Sequence, residues 1–111
     1  MTALHALDDL RSSPTAWLFE GRGDIDLSFF VTSTPPGGGP SLHVHPYPEV
    51  FLVQEGQAAF TIGAEERVVR AGHVLVIDAG TPHRFQNTGE GTLGVVSMHP
   101  SPEVRQTDLE A

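Results

Sequence analysis

From Trp17 onward, the chain consists of short apolar and β-branched runs that turn-forming residues interrupt at close intervals. Runs of this kind between Gly, Pro or Asn are typical of β-strands, and many in succession are typical of a sandwich or barrel. We predict strands at residues 16–20, 26–32, 42–45, 50–55, 58–62, 67–70, 74–77, 83–86 and 93–98. The expected fold class is therefore all-β, with little helix.

The chain of 111 residues has the size of one domain. We divide it into an N-terminal arm (residues 1–15), a β-barrel domain (16–100) and a polar C-terminal tail (101–111). Leu4, Leu7 and Leu10 recur every third residue, which fits a short amphipathic helix, an arm against a partner or a frayed terminus. We expect the acidic tail to be loosely held.

Charge and cysteine content argue against several function classes. The formal net charge is −8, with fourteen carboxylates against six Lys and Arg. So few cations cannot neutralise a phosphate backbone or an anionic membrane, so we expect neither nucleic acid nor membrane as a partner. The absence of cysteine rules out disulfides, thiolate nucleophiles and Cys-ligated zinc. Asp8 and Asp9 lie where a signal peptide would need a basic start and an apolar run, and we expect a cytoplasmic protein.

Histidines and one glutamate form the strongest chemical signal. His43 and His45 are two residues apart on a predicted strand, so both imidazoles point to the same face. Glu49 follows across a Pro-Tyr-Pro bend, and His83 comes directly after the Gly80-Thr81-Pro82 turn. Three imidazoles and a carboxylate are a mixed ligand set for a first-row divalent ion.

These residues occur in two motifs that resemble those of the cupin superfamily. Gly37-x5-His43-x-His45-x3-Glu49-x6-Gly56 matches the first motif at every fixed position. Gly72-x5-Asp78-x-Gly80-x2-His83-x3-Asn87 matches the second, except that Asp78 replaces the usual proline. Fifteen residues separate the motifs, as in small single-domain cupins. The Asp78 departure affects the rigidity of a turn and leaves the ligands intact.

The resemblance implies a jelly-roll barrel, or double-stranded β-helix, that holds one divalent metal ion on His43, His45, Glu49 and His83. The ion could be Fe, Mn, Ni, Cu or Zn, because ligand type alone does not select among them. The resemblance also implies a homodimer, and a small sandwich must in any case cover the edges of its sheets.

Four further residues are candidates for the site, three from strand alternation and Tyr47 from its position between the ligands on a Pro-flanked loop. Phe51 and Phe85 are in phase with Glu49 and His83, so they would either line an apolar substrate pocket or fill the barrel core. Tyr47 could hydrogen-bond a ligand or a metal-bound water, or lie at the surface of the barrel mouth. His99 ends the last strand and could serve as an acid or base, or be exposed at the strand end.

Four protein ligands leave one or two metal positions open, which favours a catalytic over a structural ion. The first hypothesis is a dioxygenase-like oxidoreductase acting on a small oxygen-bearing organic molecule. A non-redox isomerase, lyase or cyclase that uses the ion as a Lewis acid is the second hypothesis. The third is a non-catalytic module that binds a small ligand.

Overall fold

The computed structural model describes residues 2–110 and is nearly all β within that range. One short 3-10 helix spans Leu7–Leu10. The strands are β1 (Arg11–Ser13), β2 (Ala16–Glu20), β3 (Ser28–Thr34), β4 (His43–Val44), β5 (Glu49–Glu55), β6 (Gln57–Ile62), β7 (Glu65–Arg70), β8 (His73–Ile77), β9 (His83–Asn87), β10 (Leu93–His99) and β11 (Thr107–Asp108). The predicted all-β class with little helix is confirmed.

The nine predicted strands correspond to β2 through β10, and their ends differ from the predicted ones by at most two residues. Two strands were not predicted. β1 has three residues and β11 has two, and both are polar, so neither produces a recognisable apolar alternation.

The strands form two antiparallel sheets that face one another. One sheet has the order β1-β2-β3-β10-β5-β8, and the other has the order β11-β4-β9-β6-β7. Strands that follow one another along the chain repeatedly change sheet, which produces the jelly roll. This topology places β4, β5, β9 and β10, which carry the candidate functional residues, around one end of the interior.

Alternation along the strands fills the interior. In β5, Glu49, Phe51 and Val53 are buried, whereas Val50 and Leu52 are only half-buried on the outer face. The rings of Phe51 and Phe60 meet edge to face with centroids 5.0 Å apart. This apolar cluster forms the hydrophobic core.

Two glycines permit close approaches of the backbone. Gly39 has a φ of 153°, and a Cβ there would collide with the carbonyl oxygen of Phe85 on β9. Gly56 turns the chain between β5 and β6 with a φ of 79°, and its Cβ would lie 2.7 Å from the oxygen of Thr92. Larger residues would push these segments apart.

The tail that was expected to be loosely held is attached to the ligand strand. Thr107 pairs with Val44 and Asp108 pairs with His43 in an antiparallel ladder. The Leu109 amide donates to the Leu42 carbonyl at 2.9 Å. The tail is ordered because β4 otherwise has a free edge, and a polar strand can satisfy that edge without any apolar side chain.

At the other end of the chain, the arm forms the 3-10 turn and β1 instead of an amphipathic α-helix, and Leu4 is 97% exposed. None of the helical residues between 2 and 110 forms a segment long and apolar enough to cross a membrane.

Candidate metal centre

The four predicted ligands converge at one end of the interior. His43 on β4 lies directly opposite His83 on β9 in the sheet register. His45 follows on the same face of the chain, and Glu49 begins β5 across the interior. All four are buried, with 2–5% of their surface exposed. Their candidate ligand atoms lie within 4.8 Å of one another.

Backbone carbonyls orient the three imidazole rings. The contacts are His43 Nδ1 to Ser41 O at 2.7 Å, His45 Nδ1 to Arg105 O at 2.7 Å and His83 Nδ1 to Thr81 O at 2.8 Å. A carbonyl can only accept, so each Nδ1 carries a proton. In the neutral ring, the Nε2 lone pair then faces the cluster, which is the arrangement that metal-bound histidines adopt.

Electrostatics at the centre favour an ionised glutamate. Burial alone would raise the pKa of Glu49, but the adjacent imidazoles of His45, His83 and His99 outweigh it and hold that pKa far below its usual range. Burial lowers the pKa of His43. For His45, burial also acts to lower the pKa, but Glu49 and the Arg105 carbonyl together raise it.

The donor atoms fit a divalent cation. Glu49 Oε1 lies 2.9 Å from His83 Nε2 and 3.0 Å from His45 Nε2. Despite that short distance, His45 Nε2 is buried without a partner in hydrogen-bond geometry among residues 2–110. A buried, unpaired nitrogen aimed at a carboxylate and two further imidazoles is the environment that a metal ion satisfies. Imidazole and carboxylate together suit Mn, Fe, Ni, Cu or Zn.

His99 and Tyr47 lie beside the ligands. His99 on β10 is 1% exposed, so the alternative of an exposed strand-end histidine is wrong. Its Nε2 lies 3.2 Å from Glu49 Oε2, and its Nδ1 lies 2.8 Å from the Tyr47 hydroxyl. That hydroxyl also accepts a hydrogen bond from the Arg105 amide at 3.0 Å. Burial raises the pKa of the half-buried Tyr47, so its hydroxyl keeps the proton that it can donate to His99.

A cavity of about 500 Å³ opens beside the ligands. Phe51 and Phe85 both line it, and both also belong to the hydrophobic core, so the two alternatives drawn from alternation coexist. Phe30, Thr32 and Ser97 contribute to the wall as well.

Sequence reasoning missed two parts of this site. The inward positions of β3 and the Ser97 position of β10 follow alternation, but only the sheet register places them beside the cavity. Residue 105 contributes both its amide and its carbonyl, to Tyr47 and His45 respectively. Backbone groups leave no trace in side-chain patterns, so the sequence carried no signal for this contact.

Comparison with known proteins identifies related sequences. The family model described as Cupin domain matches residues 30–99. An uncharacterized protein of Streptomyces coelicolor is 36% identical over 75 residues, which cover 68% of this chain and 71% of the relative. The HTH-type transcriptional regulator PuuR of Escherichia coli is 34% identical over 71% of this chain and 43% of its own length. The oxalate-binding protein of Thermotoga maritima is 23% identical over 70% of this chain and 77% of its own.

Solved structures share the fold. An oxalate decarboxylase variant of Bacillus subtilis superimposes with a TM-score of 0.83 at 18% identity, covering 95% of this chain and 31% of its own. Oxalate oxidase in complex with glycolate has a TM-score of 0.73 at 24% identity, covering 88% of this chain and 57% of its own. The chain therefore spans less than two thirds of these larger proteins.

Proposed function

This chain belongs to the cupin domain family, and we propose that it is a metal-dependent enzyme, an oxidoreductase of the dioxygenase type. Its substrate would be a small oxygen-bearing organic molecule. The observation that carries the proposal is the buried His43, His45, Glu49 and His83 group beside an open cavity. Four protein ligands leave coordination positions free for a substrate.

The residues of the site would have different roles. His43, His45, Glu49 and His83 would hold the ion, which would supply Lewis acidity and, for a redox metal, electrons. His99 would orient Glu49 through its second oxygen, because His99 Nε2 lies 3.2 Å from that atom. Since His99 also lines the cavity, its ring would contact a bound molecule. Tyr47 would fix the ring of His99 through the 2.8 Å contact.

Two other functions fit the same site. A non-redox isomerase, lyase or cyclase would use the ion only to polarise an oxygen. A binding module is favoured by two relatives, a transcriptional regulator and an oxalate-binding protein, whose names describe regulation and binding and not catalysis. The identity of the metal separates redox from Lewis-acid chemistry, and substrate turnover separates catalysis from binding.

The decisive experiment is elemental mass spectrometry of untagged protein purified without chelators or a nickel column. We expect close to one iron, manganese, copper or nickel per chain, and near-complete loss in His83→Ala. His73→Ala is the matched control, because His73 is exposed on β8 outside the site. Oxygen consumption with candidate substrates would follow. Zinc alone would favour Lewis-acid chemistry. A folded protein without metal would refute the proposal that the chain is a metal-dependent enzyme.

We also propose that the working unit is a homodimer formed through the outer face of the six-stranded sheet. Across the five strands from β2 to β8, two cross-strand rows on this face are apolar at every position: Trp17, Val31, Val96, Leu52, Val74 and Phe19, Phe29, Met98, Val50, Val76. Beyond them, at the edge of the sheet, Arg11 on β1 pairs with Trp17. The outer face of the five-stranded sheet instead carries Gln57, Thr61, Glu66, Arg70, Arg84 and Gln86.

A second copy is the partner that suits this face. Two chains that each have a net charge of −8 repel one another, so a contact between them is favoured where the surface has no charge. The two rows contain no charged residue. Five strands about 4.8 Å apart make the face roughly 20 Å wide, which is enough for the centre of an interface of about 800 Å² per partner. Val74 and Val76 remain 61% and 60% exposed in the single chain.

Sedimentation velocity tests the homodimer directly. We expect a dimer that Val74→Lys dissociates at least 10-fold more readily. Val68→Lys is the matched control, because Val68 is 48% exposed on the other sheet. A wild-type monomer at high micromolar concentration, or a dimer that is insensitive to Val74→Lys, would contradict the proposal.

A further inference from the structure

The cavity beside the ligands has both polar and apolar side chains in its wall. Along β10 the buried inward residues are His99, Ser97, Val95 and Leu93 in that order. His99 lies next to Glu49, whereas Val95 and Leu93 belong to the hydrophobic core. A bound molecule would therefore meet His99 and Ser97 nearest the ligands and Val95 beyond them, with Thr32 opposite Val95 on β3.

Aromatic rings form much of the remaining wall. Phe30, Phe51 and Phe85 all line the cavity. Phe30 and Phe51 occupy positions on either side of Ser97, on β3 and β5. Contact between these rings and an apolar part of a ligand buries apolar surface and is favourable, whereas a small hydrated ion offers the rings no apolar surface.

Cationic side chains are missing from the cavity wall. All six cations of the chain are arginines, and none of them lines this cavity within residues 2–110. Glu49 is the carboxylate of the wall. With neutral histidines, a divalent ion and Glu49 together leave one positive charge. A singly charged anion cancels it, whereas a dianion leaves a net negative charge that no side chain of the wall compensates.

The cavity is also large for a two-carbon acid. Water occupies roughly 30 Å³ per molecule in the liquid, so the six heavy atoms of oxalate would fill at most about 180 Å³ at that density. The cavity measures about 500 Å³. Most of its apolar wall would then lack a partner.

We infer that the site takes a chelating molecule with two neighbouring oxygens, at most one negative charge and an apolar body. An enolised β-diketone or a singly ionised catechol has this chemistry. The inference rests on the proposed metal site and names its ligand class, which differs from the oxalate in the names of several structural neighbours.

Isothermal titration calorimetry on the zinc-loaded protein separates the contributions of charge and apolar body. Three probes are needed: oxalate, acetylacetone and benzoylacetone. All chelate through two oxygens, and each affinity is divided by the affinity of that probe for aqueous zinc. We expect the corrected affinity to be highest for benzoylacetone, by about 10-fold or more over acetylacetone, since it buries a phenyl ring. Oxalate should rank last.

A matched pair of variants tests whether the lack of a cationic side chain in the cavity wall weakens the binding of oxalate. Thr32→Arg adds a guanidinium at a cavity-lining position, whereas Ser33→Arg adds one at the next, exposed position of β3. We expect Thr32→Arg to raise the corrected oxalate affinity by about 10-fold through a charge-assisted contact, and Ser33→Arg to leave it unchanged.

Failure of the inference and failure of the metal site give different results. A protein that binds no zinc would refute the metal site, and the ligand class with it. A stoichiometric zinc protein whose corrected affinity is highest for oxalate would overturn the ligand class alone. So would equal corrected affinities for acetylacetone and benzoylacetone, because the aromatic wall would then make no contribution.

Discussion

The named side chains at the two ends of the barrel interior are almost equally buried but are held together differently. At the apolar end, Phe60, Val53 and Leu93 have no exposed surface. At the ligand end, His45, His83 and Glu49 are only 2–3% exposed. The apolar end is stabilised by burial and close packing. The ligand end is held by contacts from side chains to backbone carbonyls and between ionisable groups.

This difference indicates where stability and function lie. A buried carboxylate and its histidine neighbours lose hydration that their mutual contacts only partly replace, and apolar residues of similar volume often stabilise such sites. The apolar end therefore has to supply most of the folding free energy. The ligand end retains its polar groups because a cation and a bound molecule can satisfy them.

The largest expected effect is the loss of stability when a core side chain at the apolar end is truncated. Phe60→Ala removes a ring that contacts both Phe51 and Phe85. We expect the free energy of unfolding of the metal-free protein, measured in urea, to fall by about 3–5 kcal/mol. The folded fraction should keep its metal stoichiometry, since no ligand contact changes.

Val68→Ala provides the matched control for this loss. Val68 is 48% exposed on β7, so its truncation should change stability by no more than about 0.5 kcal/mol. If Phe60→Ala cost as little as the control, the apolar end would not be the main source of stability.

A smaller effect is expected from the backbone that supports the ligand end. Arg105→Pro deletes the amide that donates to Tyr47 and keeps the carbonyl that accepts from His45. Loss of a group that supports a metal ligand through hydrogen bonds typically weakens metal binding 10–100-fold. Because the carbonyl contact stays, we expect the metal dissociation constant to rise by about 10-fold, the lower end of that range.

Arg105→Ala separates the amide from the side chain. It retains both backbone groups and removes only the exposed guanidinium, so metal affinity should stay at the wild-type value. Competition with a coloured chelator measures both constants. An equal loss in the two variants would assign the effect to the side chain and refute the role of the amide.

The sequence predicted the four metal ligands, but it did not predict the contacts that support them. The His43-x-His45 spacing fixes two rings on one face, and the two motifs add Glu49 and His83 without any knowledge of pairing. The attachment of residues 107–108 to β4 depends on a polar edge pairing that apolar periodicity does not reveal. Alternation put His99 in phase with Leu93, Val95 and Ser97, but only the pairing of β10 within the sheet shows that this phase faces inward.

The smallest effect tests whether the supports act as one chain of contacts. Tyr47→Phe removes the hydroxyl between the Arg105 amide and His99 Nδ1, and we expect a few-fold loss of metal affinity, about 1 kcal/mol, as for one neutral hydrogen bond. His99→Gln removes the group next to Glu49. If Tyr47 acts through His99, the double variant should bind metal no more weakly than His99→Gln alone, because the second change removes nothing further. Additive losses would mean that Tyr47 supports the ligand end by another route, through the tail that it holds at Arg105.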